Sequence, residues 1–218
     1  MSKLVWDKTS EHFYETGVDH VVLFKYVKGA PGTGVAWNGV TAINESPSGA
    51  DPTPLYADNI KYLNLLSTEE FAASIEAYMY PDEFAECDGS AELATGVYIG
   101  QQSRSLFGLY YRTIIGNDTE GNDLGYKHHF IYNCLAAPSE KAYNTVNDSP
   151  DIPTMSWSVS TTPVEVTNHK PTASLVIDST KVDATKLQTL LDKTIGTDDA
   201  EPELLMPDDI AAIFATTA

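Results

Sequence analysis

Basic residues are scarce in this chain. Its 218 residues carry 13 Lys and Arg against 31 Asp and Glu, a formal net charge of −18 and a pI near 4.4. Gripping nucleic acid needs cations on phosphates to release counterions, so this balance argues against a nucleic-acid binder. Two readings of the acidity stay open: an ordinary soluble acidic protein, or a surface that repels a polyanion moving past it. Long apolar runs are also missing. No stretch approaches the roughly 20 residues needed to cross a bilayer, so no membrane role is expected. The start, MSKLVWDKTSEHF, lacks an apolar h-region and a small-residue cleavage site. The expectation is that it is no secretory leader and that the chain folds where it is made. Cysteine is limited to Cys87 and Cys134, which form neither a CxxC nor a metal spacing, so two free thiols are expected.

Signals of chemistry are equally thin. KGAPGTGVAWNG has glycines near a phosphate-loop spacing, but a β-branched, aromatic strand follows where the phosphate loop needs Lys-Ser/Thr opening a helix; a plain turn is expected. His128 and His129 are neighbours and point to opposite faces of a strand, while His12, His20 and His169 lack partners at i+2 or i+4. They read as polar core or surface residues rather than metal ligands. The segment Asn117–Asp123 is rich in oxygen donors but lacks the calcium-loop spacing and its terminal Glu, so turn chemistry explains it better. There is no GxSxG, and no carboxylate pair stands out among the many. The chain is expected to be no enzyme and to take no cofactor or metal.

What is present is alternation. Val18–Val27 is apolar on both faces at its centre, as in a strand covered on two sides. Strands are expected at Val35–Ile43, Ile60–Leu66 and Phe71–Tyr80, where Phe71, Ala73, Ile75, Ala77 and Met79 share one face. Leu106–Ile115 and Tyr126–Leu135 flank GNDTEGNDLG as a hairpin with a long tip. Met155, Trp157 and Val159 alternate with serines, and Ala173, Leu175 and Ile177 repeat the pattern. Pro81–Cys87 reads as a short helix with Pro at its start. Asp183 can cap a helix with Ala184, Leu187, Leu190, Leu191 and Ile195 on one stripe and Gly196 as its stop. A polar linker then leads to Pro207–Phe214, with Ile210, Ile213 and Phe214 on an apolar face. The expected fold is mainly β, an antiparallel β-sandwich or barrel over residues 1–196 with a short flanking helix, followed by a linker and C-terminal helical arm at 197–218.

The segment Asn44–Asp58, NESPSGADPTPLYAD, exceeds ordinary hairpin length between two expected strands. Long connections without structure of their own are usually functional or disordered. Pro47, Pro52 and Pro54 stiffen it, and Leu55 and Tyr56 offer apolar anchors, so a partner-contacting loop is the favoured reading over a floppy insertion.

The run from Trp37 to Cys87, WNGVTAINESPSGADPTPLYADNIKYLNLLSTEEFAASIEAYMYPDEFAEC, is followed in order by GYKHHFIYN, PSEKAYNTVNDSP and STTPVEVTNHKPTASLVIDSTKVD. These phrases resemble the major tail (tail tube) proteins of long-tailed, non-contractile bacteriophages, over roughly Leu4 to Phe214. The resemblance implies a β-sandwich with a flanking helix that assembles into hexameric rings, stacked as a hollow tube in the virion tail. It implies synthesis and assembly in the host cytoplasm. The implied partners are other copies of the chain, a tape-measure protein, a tail terminator and distal tail or baseplate proteins. Viral DNA would pass through the lumen without specific binding, past a surface that the excess of Asp and Glu makes net negative. By the same resemblance Asn44, Pro47, Asp51, Pro52, Pro54, Leu55, Tyr56 and Asp58 become the candidates for the ring-to-ring contact, and the terminal segments candidates for packing around the ring. Three other readings compete: a tube protein of a contractile tail, tailocin or secretion-type tube; a carbohydrate-binding or adhesin-like β-sandwich; and, with no nucleophile to support it, a β-sandwich hydrolase.

Overall fold

The computed structural model describes residues 3–145, 148 and 152–215. Four residues of the PSEKAYNTVNDSP phrase and the last three of the expected C-terminal arm lie outside the described residues. Strands β1 (Tyr14–Val27) and β2 (Ala30–Ala36) form a hairpin that turns at Lys28 and Gly29, both with positive φ. The glycine-spaced segment is therefore a turn and a strand. β3 (Val40–Glu45) follows, then four strands of a projecting hairpin: β4 (Ser48–Gly49), β5 (Pro52–Ala57), β6 (Ile60–Leu66) and β7 (Glu69–Glu70). β8 (Ala72–Ala77) leads to helix α1 (Phe84–Cys87) and a small hairpin of β9 (Ala91–Ala94) and β10 (Val97–Ile99). The long hairpin β11 (Phe107–Asn117) and β12 (Gly121–Ala136) comes next, then β13 (Met155–Thr161) and β14 (Ser174–Asp178). Helices α2 (Ala184–Ile195) and α3 (Pro207–Phe214) close the order.

The main sheet is antiparallel, ordered β2-β1-β11-β12-β13-β8-β3, with β14 pairing alongside on β12. β2 and β3 stand at opposite ends of that order, yet only Trp37, Asn38 and Gly39 separate them. Such a link spans about 14 Å at most, so the sheet has to roll until its two ends meet. Both ends hold the link: the Trp37 N–H donates to the Val21 carbonyl at 2.8 Å, and the Tyr78 N–H donates to the Gly39 carbonyl at 2.9 Å. The expected continuous strand Val35–Ile43 is accordingly two strands. The Asn38-Gly39 turn, with Gly39 at φ +82°, breaks it.

Rolling gives the sheet an inside and an outside, and period-two alternation fills both. Val21, Leu23, Leu109, Ile131, Ile75 and Val159 point inward with Trp37, Phe84, Phe107 and Trp157. Val22, Phe24, Tyr110, Phe130 and Tyr132 point outward, under Leu190 of α2, Ile210 of α3 and the connecting Leu204 and Leu205. Asn133, at φ +47°, interrupts the alternation on β12, so Tyr132 faces the outer layer while Cys134 faces the inner one. α2 forms as its sequence dictates: the Asp183 carboxylate accepts from the N–H groups of Thr185 and Lys186 at 2.9 and 3.0 Å, and Gly196 at φ +85° ends it. Leu190 is fully buried, whereas Ile195 at the helix end is exposed.

The segment after Gly196 lies back on this outer layer. A Cβ on Gly34 would come within 2.9 Å of Pro202, and one on Gly108 within 2.3 Å of Leu204 Cδ2, so both glycines make room for it. The Gly34 N–H donates to the Pro202 carbonyl at 3.0 Å, and the Tyr132 hydroxyl donates to the Leu205 carbonyl at 3.1 Å. The expected long hairpin tip is shorter than its composition suggested, because the strands run into it. Only Asp118, Thr119 and Glu120 turn, held by the Asn117 side chain, whose Oδ1 accepts from the N–H groups of Thr119 and Glu120.

One end of the roll is closed by aromatic rings around Phe84: Trp37 at 4.5 Å, Trp157 at 5.2 Å, Phe107 at 5.4 Å and Tyr80 at 5.9 Å between centroids. Phe84→Ala removes the ring that all four touch and should cost about 3–5 kcal/mol of unfolding free energy. Urea unfolding followed by tryptophan fluorescence measures this; a loss under about 1 kcal/mol would show that the plug is not what closes this end.

Candidate functional site

The segment Asn44–Asp58 is not the unstructured loop its composition suggested. Asp58 and Asn59, at φ +50° and +63°, make a two-residue turn of the kind that matches strand twist, and β5 and β6 pair across it. β4 and β7 continue the pairing at the root, Ser48 opposite Glu70 and Gly49 opposite Glu69. Prolines normally exclude a strand, but each strand of a two-stranded ribbon has one unpaired edge, where a missing N–H is harmless. Pro52 and Pro54 therefore sit in β5, opposite Leu66 and Asn64.

This ribbon stands clear of the body. Every residue of β4, β5, β6 and β7 is exposed. Leu55 opposite Leu63 and Thr53 opposite Leu65 share a face by register. Pro52, Pro54 and Leu66 share the other. The large apolar residues are Leu55, Tyr56, Ile60, Tyr62, Leu63, Leu65 and Leu66, exposed from 38% at Leu63 to 71% at Tyr56. Isolated two-stranded hairpins are marginal in water, and contiguous exposed apolar surface of this kind marks an interaction site.

The structure places seven of the eight candidate residues on the ribbon or at its root and leaves Asn44 on the body. Asp51, Pro52, Pro54, Leu55 and Tyr56 lie on or beside β5, and Asp58 sits at the tip. Pro47 is at the root. Asn44 stays on the body in β3, where its Nδ2 donates to Ser74 Oγ at 3.3 Å and Glu76 Oε1 at 3.5 Å. The sequence reading missed the return strand as part of the site, since Ile60–Leu66 was expected as a body strand. The signal was present in the Asp58-Asn59 turn before it.

A polar cluster fixes the root. Glu45, the last residue of β3, accepts from the Tyr111 hydroxyl at 2.5 Å. The His129 ring stacks on Tyr111 at 4.6 Å with planes 5° apart, its Nε2 3.0 Å from the Thr113 hydroxyl and 3.5 Å from Glu15 Oε1. Lys127 pairs with Glu15. The neighbouring His129 imidazole prevails over burial and, with Tyr111, holds the Glu45 carboxyl below the ordinary range. Burial pushes Glu15 the other way, but Lys127 and Thr113 outweigh it and hold its carboxyl low as well. Arg112 forks onto Asp19 with two bonds of 2.8 Å and lies 3.9 Å over the Tyr126 ring, which keeps the Asp19 carboxyl low too. Beside the root, Leu66, Phe71, Pro163, Lys170 and Pro171 line an open groove of about 810 Å³.

His128 and His129 face opposite sides, as the strand requires. The Tyr110 hydroxyl and His128 Nδ1 are 2.8 Å apart in the outer layer. Both cysteines are free and buried in the inner core, where burial pushes the Cys87 thiol up to about 12 and the Cys134 thiol up as well. Among the described residues no three His, Cys, Asp or Glu side chains converge to hold a metal ion.

No protein-family model and no curated protein matches this sequence. Among solved structures, the chain is similar to a chain of the six-fold symmetrised cryo-EM structure of the anti-feeding prophage baseplate. The identity is 8% and the TM-score 0.38, over 82% of this chain and 100% of that one. A likeness this loose fixes neither fold nor role.

His128 makes stability depend on pH. Burial, with Arg112 nearby, lowers its imidazole from the ordinary 6.5 to about 4, so the unfolded chain takes up this proton first. Its contribution is complete above the unfolded value and is lost as pH falls from 6.5 toward 4, by up to about 3 kcal/mol. The low carboxyls of Glu15, Glu45 and Asp19 extend the loss into more acid solution. The urea midpoint should fall between about pH 7 and about pH 5, and His128→Gln should flatten that fall. Equal slopes for the two proteins would rule out His128 as its source.

Proposed function

We propose that the chain is a virion structural subunit that self-assembles into stacked hexameric rings, forming the tail tube of a long-tailed, non-contractile phage. The observation that carries this reading is the ribbon from Ser48 to Glu70, with large apolar residues on both faces and its strands exposed along their whole length. The phrase-level resemblance between Trp37 and Asp183 supplies the ring and tube. The core supports it further: the inner face of the roll, and its outer face over β1, β11, β12 and β14, are covered by the body of the chain, while the outward serines of β13 are polar and exposed, so the ribbon is not needed to complete the fold.

The work of such a subunit is passive. Each cation on a lumen wall would hold a phosphate and slow the genome, whereas carboxylates keep a hydrated, repelling surface. A net charge of −18 suits that task. Copies of the chain, a tape-measure protein, a terminator and distal tail proteins are its proposed partners, and the genome passes without specific binding.

The ribbon can be removed cleanly, because Gly49 approaches Thr68 so closely that a Cβ there would lie 2.2 Å from its carbonyl oxygen. Replacing residues 50–67 by an Asn-Gly turn should leave the circular dichroism of the monomer unchanged while abolishing tubes in negative-stain images. Tubes of normal length from that variant would refute the assembly role of the ribbon. A reconstruction of the wild-type tube should show a bore lined mainly by Asp and Glu; a lining of Lys and Arg would overturn the conduction argument.

A further inference from the structure

The rolled sheet places two apolar hairpins at its two ends. β3 runs from Val40 to Glu45 and β8 runs back from Ala72 to Ala77. The ribbon leaves this pair at the Glu45 and Ala72 end. The chain leaves at the Ala77 end to form α1 and the β9–β10 hairpin, which returns to β11 at Phe107. The two projections are thus separated by the length of the strand pair, about 17–20 Å.

The β9–β10 hairpin was not expected from the sequence, and it too is unpartnered. Leu93, Val97, Tyr98 and Ile99 are exposed, Leu93 to 69% and Tyr98 to 51%. Its base is fixed. The Asp88 carboxylate takes Lys141 at 2.5 Å and Arg104 at 3.6 Å, and Arg104 also donates to the Ala136 carbonyl at 3.1 Å. Residues 82–99 hold five acids and no base. Glu86 pairs with Lys25 and Asp88 with Lys141 and Arg104. Asp82, Glu83 and Glu92 have no ion-pair partner among the described residues.

The ribbon is itself net acidic, with Asp51, Asp58, Glu69 and Glu70, but it carries one cation near its tip. Lys61 is the single Lys or Arg between residues 29 and 103, it lies opposite Tyr56 near the tip, and it too has no ion-pair partner among the described residues. We infer that the ribbon of one copy docks on the β9–β10 hairpin of a second copy. Tyr56 and Tyr62 cover Leu93 and Tyr98, and Lys61 meets Asp82 and Glu92. The placement at opposite ends makes this contact head-to-tail, so each copy offers one used ribbon and one used hairpin, and the contact repeats along an axis. The inference rests on the tube reading and names the surface that reading left without a partner.

Cysteine cross-linking tests it, because the two native thiols are buried. Full-length protein carrying Tyr62→Cys and Val97→Cys should form disulfide-linked ladders between copies under mild oxidation, while Tyr62→Cys with Lys170→Cys, which probes the groove beside the ribbon root, should not. Lys61→Glu should raise the protein concentration needed for assembly about tenfold, and adding Asp82→Lys in the same chain should bring it most of the way back. Tubes that assemble without the Tyr62→Cys, Val97→Cys link, or that link through Lys170→Cys instead, overturn this contact and leave the tube reading standing. If the unmodified chain does not associate at any concentration, with or without tail-tip components, the tube reading falls and this contact falls with it.

Discussion

The three residues Trp37, Asn38 and Gly39 constrain this molecule more than any others. They join the strands at the two ends of the sheet order, so the sheet cannot lie flat and the two ends must meet. Everything else follows from that closure. An inside exists, wide enough for Trp157, Phe84 and Phe107 to fill one end. An outside exists, and it needs a second apolar cover, which α2, α3 and the Pro202–Leu205 segment supply. The two end strands come together at this link without pairing, β2 bonding β1 and β3 bonding β8. A substitution that opened the Trp37 link would expose both layers together.

Because both layers are satisfied within the chain, the remaining apolar surface points away from the fold. Much of it lies on the two ribbons, and more lies in the N-terminal segment at Leu4, Val5, Trp6 and Phe13. Its setting is hostile to association, since every copy repels every other with a net charge of −18. At physiological salt that repulsion is screened beyond about 8 Å, so only contact-range forces can overcome it. Apolar burial is such a force, and it is insensitive to sign. A lone lysine on one ribbon and unpaired carboxylates on the other add direction to it at small energetic value. In the proposed contact burial would supply the strength and charge the register.

Local patterns were legible in the sequence, and pairings were not. Alternation located β1, β6, β8, β11, β12, β13 and β14, and the Asp183 cap and Gly196 stop bounded α2 at the observed residues. Each of those signals lies within one strand or one turn of helix. The roll does not: it depends on which strands neighbour one another, and no residue of β2 records that β3 will close against the far end. Two short turns were passed over: Asn38-Gly39 divides Val35–Ile43, read as one strand, and Asp58-Asn59 joins the expected loop Asn44–Asp58 to the expected strand Ile60–Leu66 as one hairpin. Pro52 and Pro54 were read as stiffening a loop, whereas they sit in a strand of a ribbon whose open edges tolerate them. Of the ribbon, the outgoing half was singled out from its length and apolar anchors. The return half and the β9–β10 hairpin were missed, because exposed apolar strands look like core strands until burial is known.

On the proposed reading, one property of the chain does two jobs that usually conflict. Acidic surface keeps the free subunit soluble despite two exposed apolar ribbons, and the same charge would face a passing polyanion without holding it. The conflict lies in assembly, which must bring like charges together ring upon ring. Placing the apolar ribbons at opposite ends of one strand pair resolves it geometrically. On that reading the apolar surfaces lie at the ends of each copy, and the carboxylates outside the contact stay hydrated. Desolvating an unpaired carboxylate costs several kcal/mol, far more than a rim ion pair returns, so a stacking contact built through the acidic flanks would be opposed at every step. An acidic tube protein therefore needs projecting apolar ribbons of this kind, and a flat acidic interface between rings would not hold.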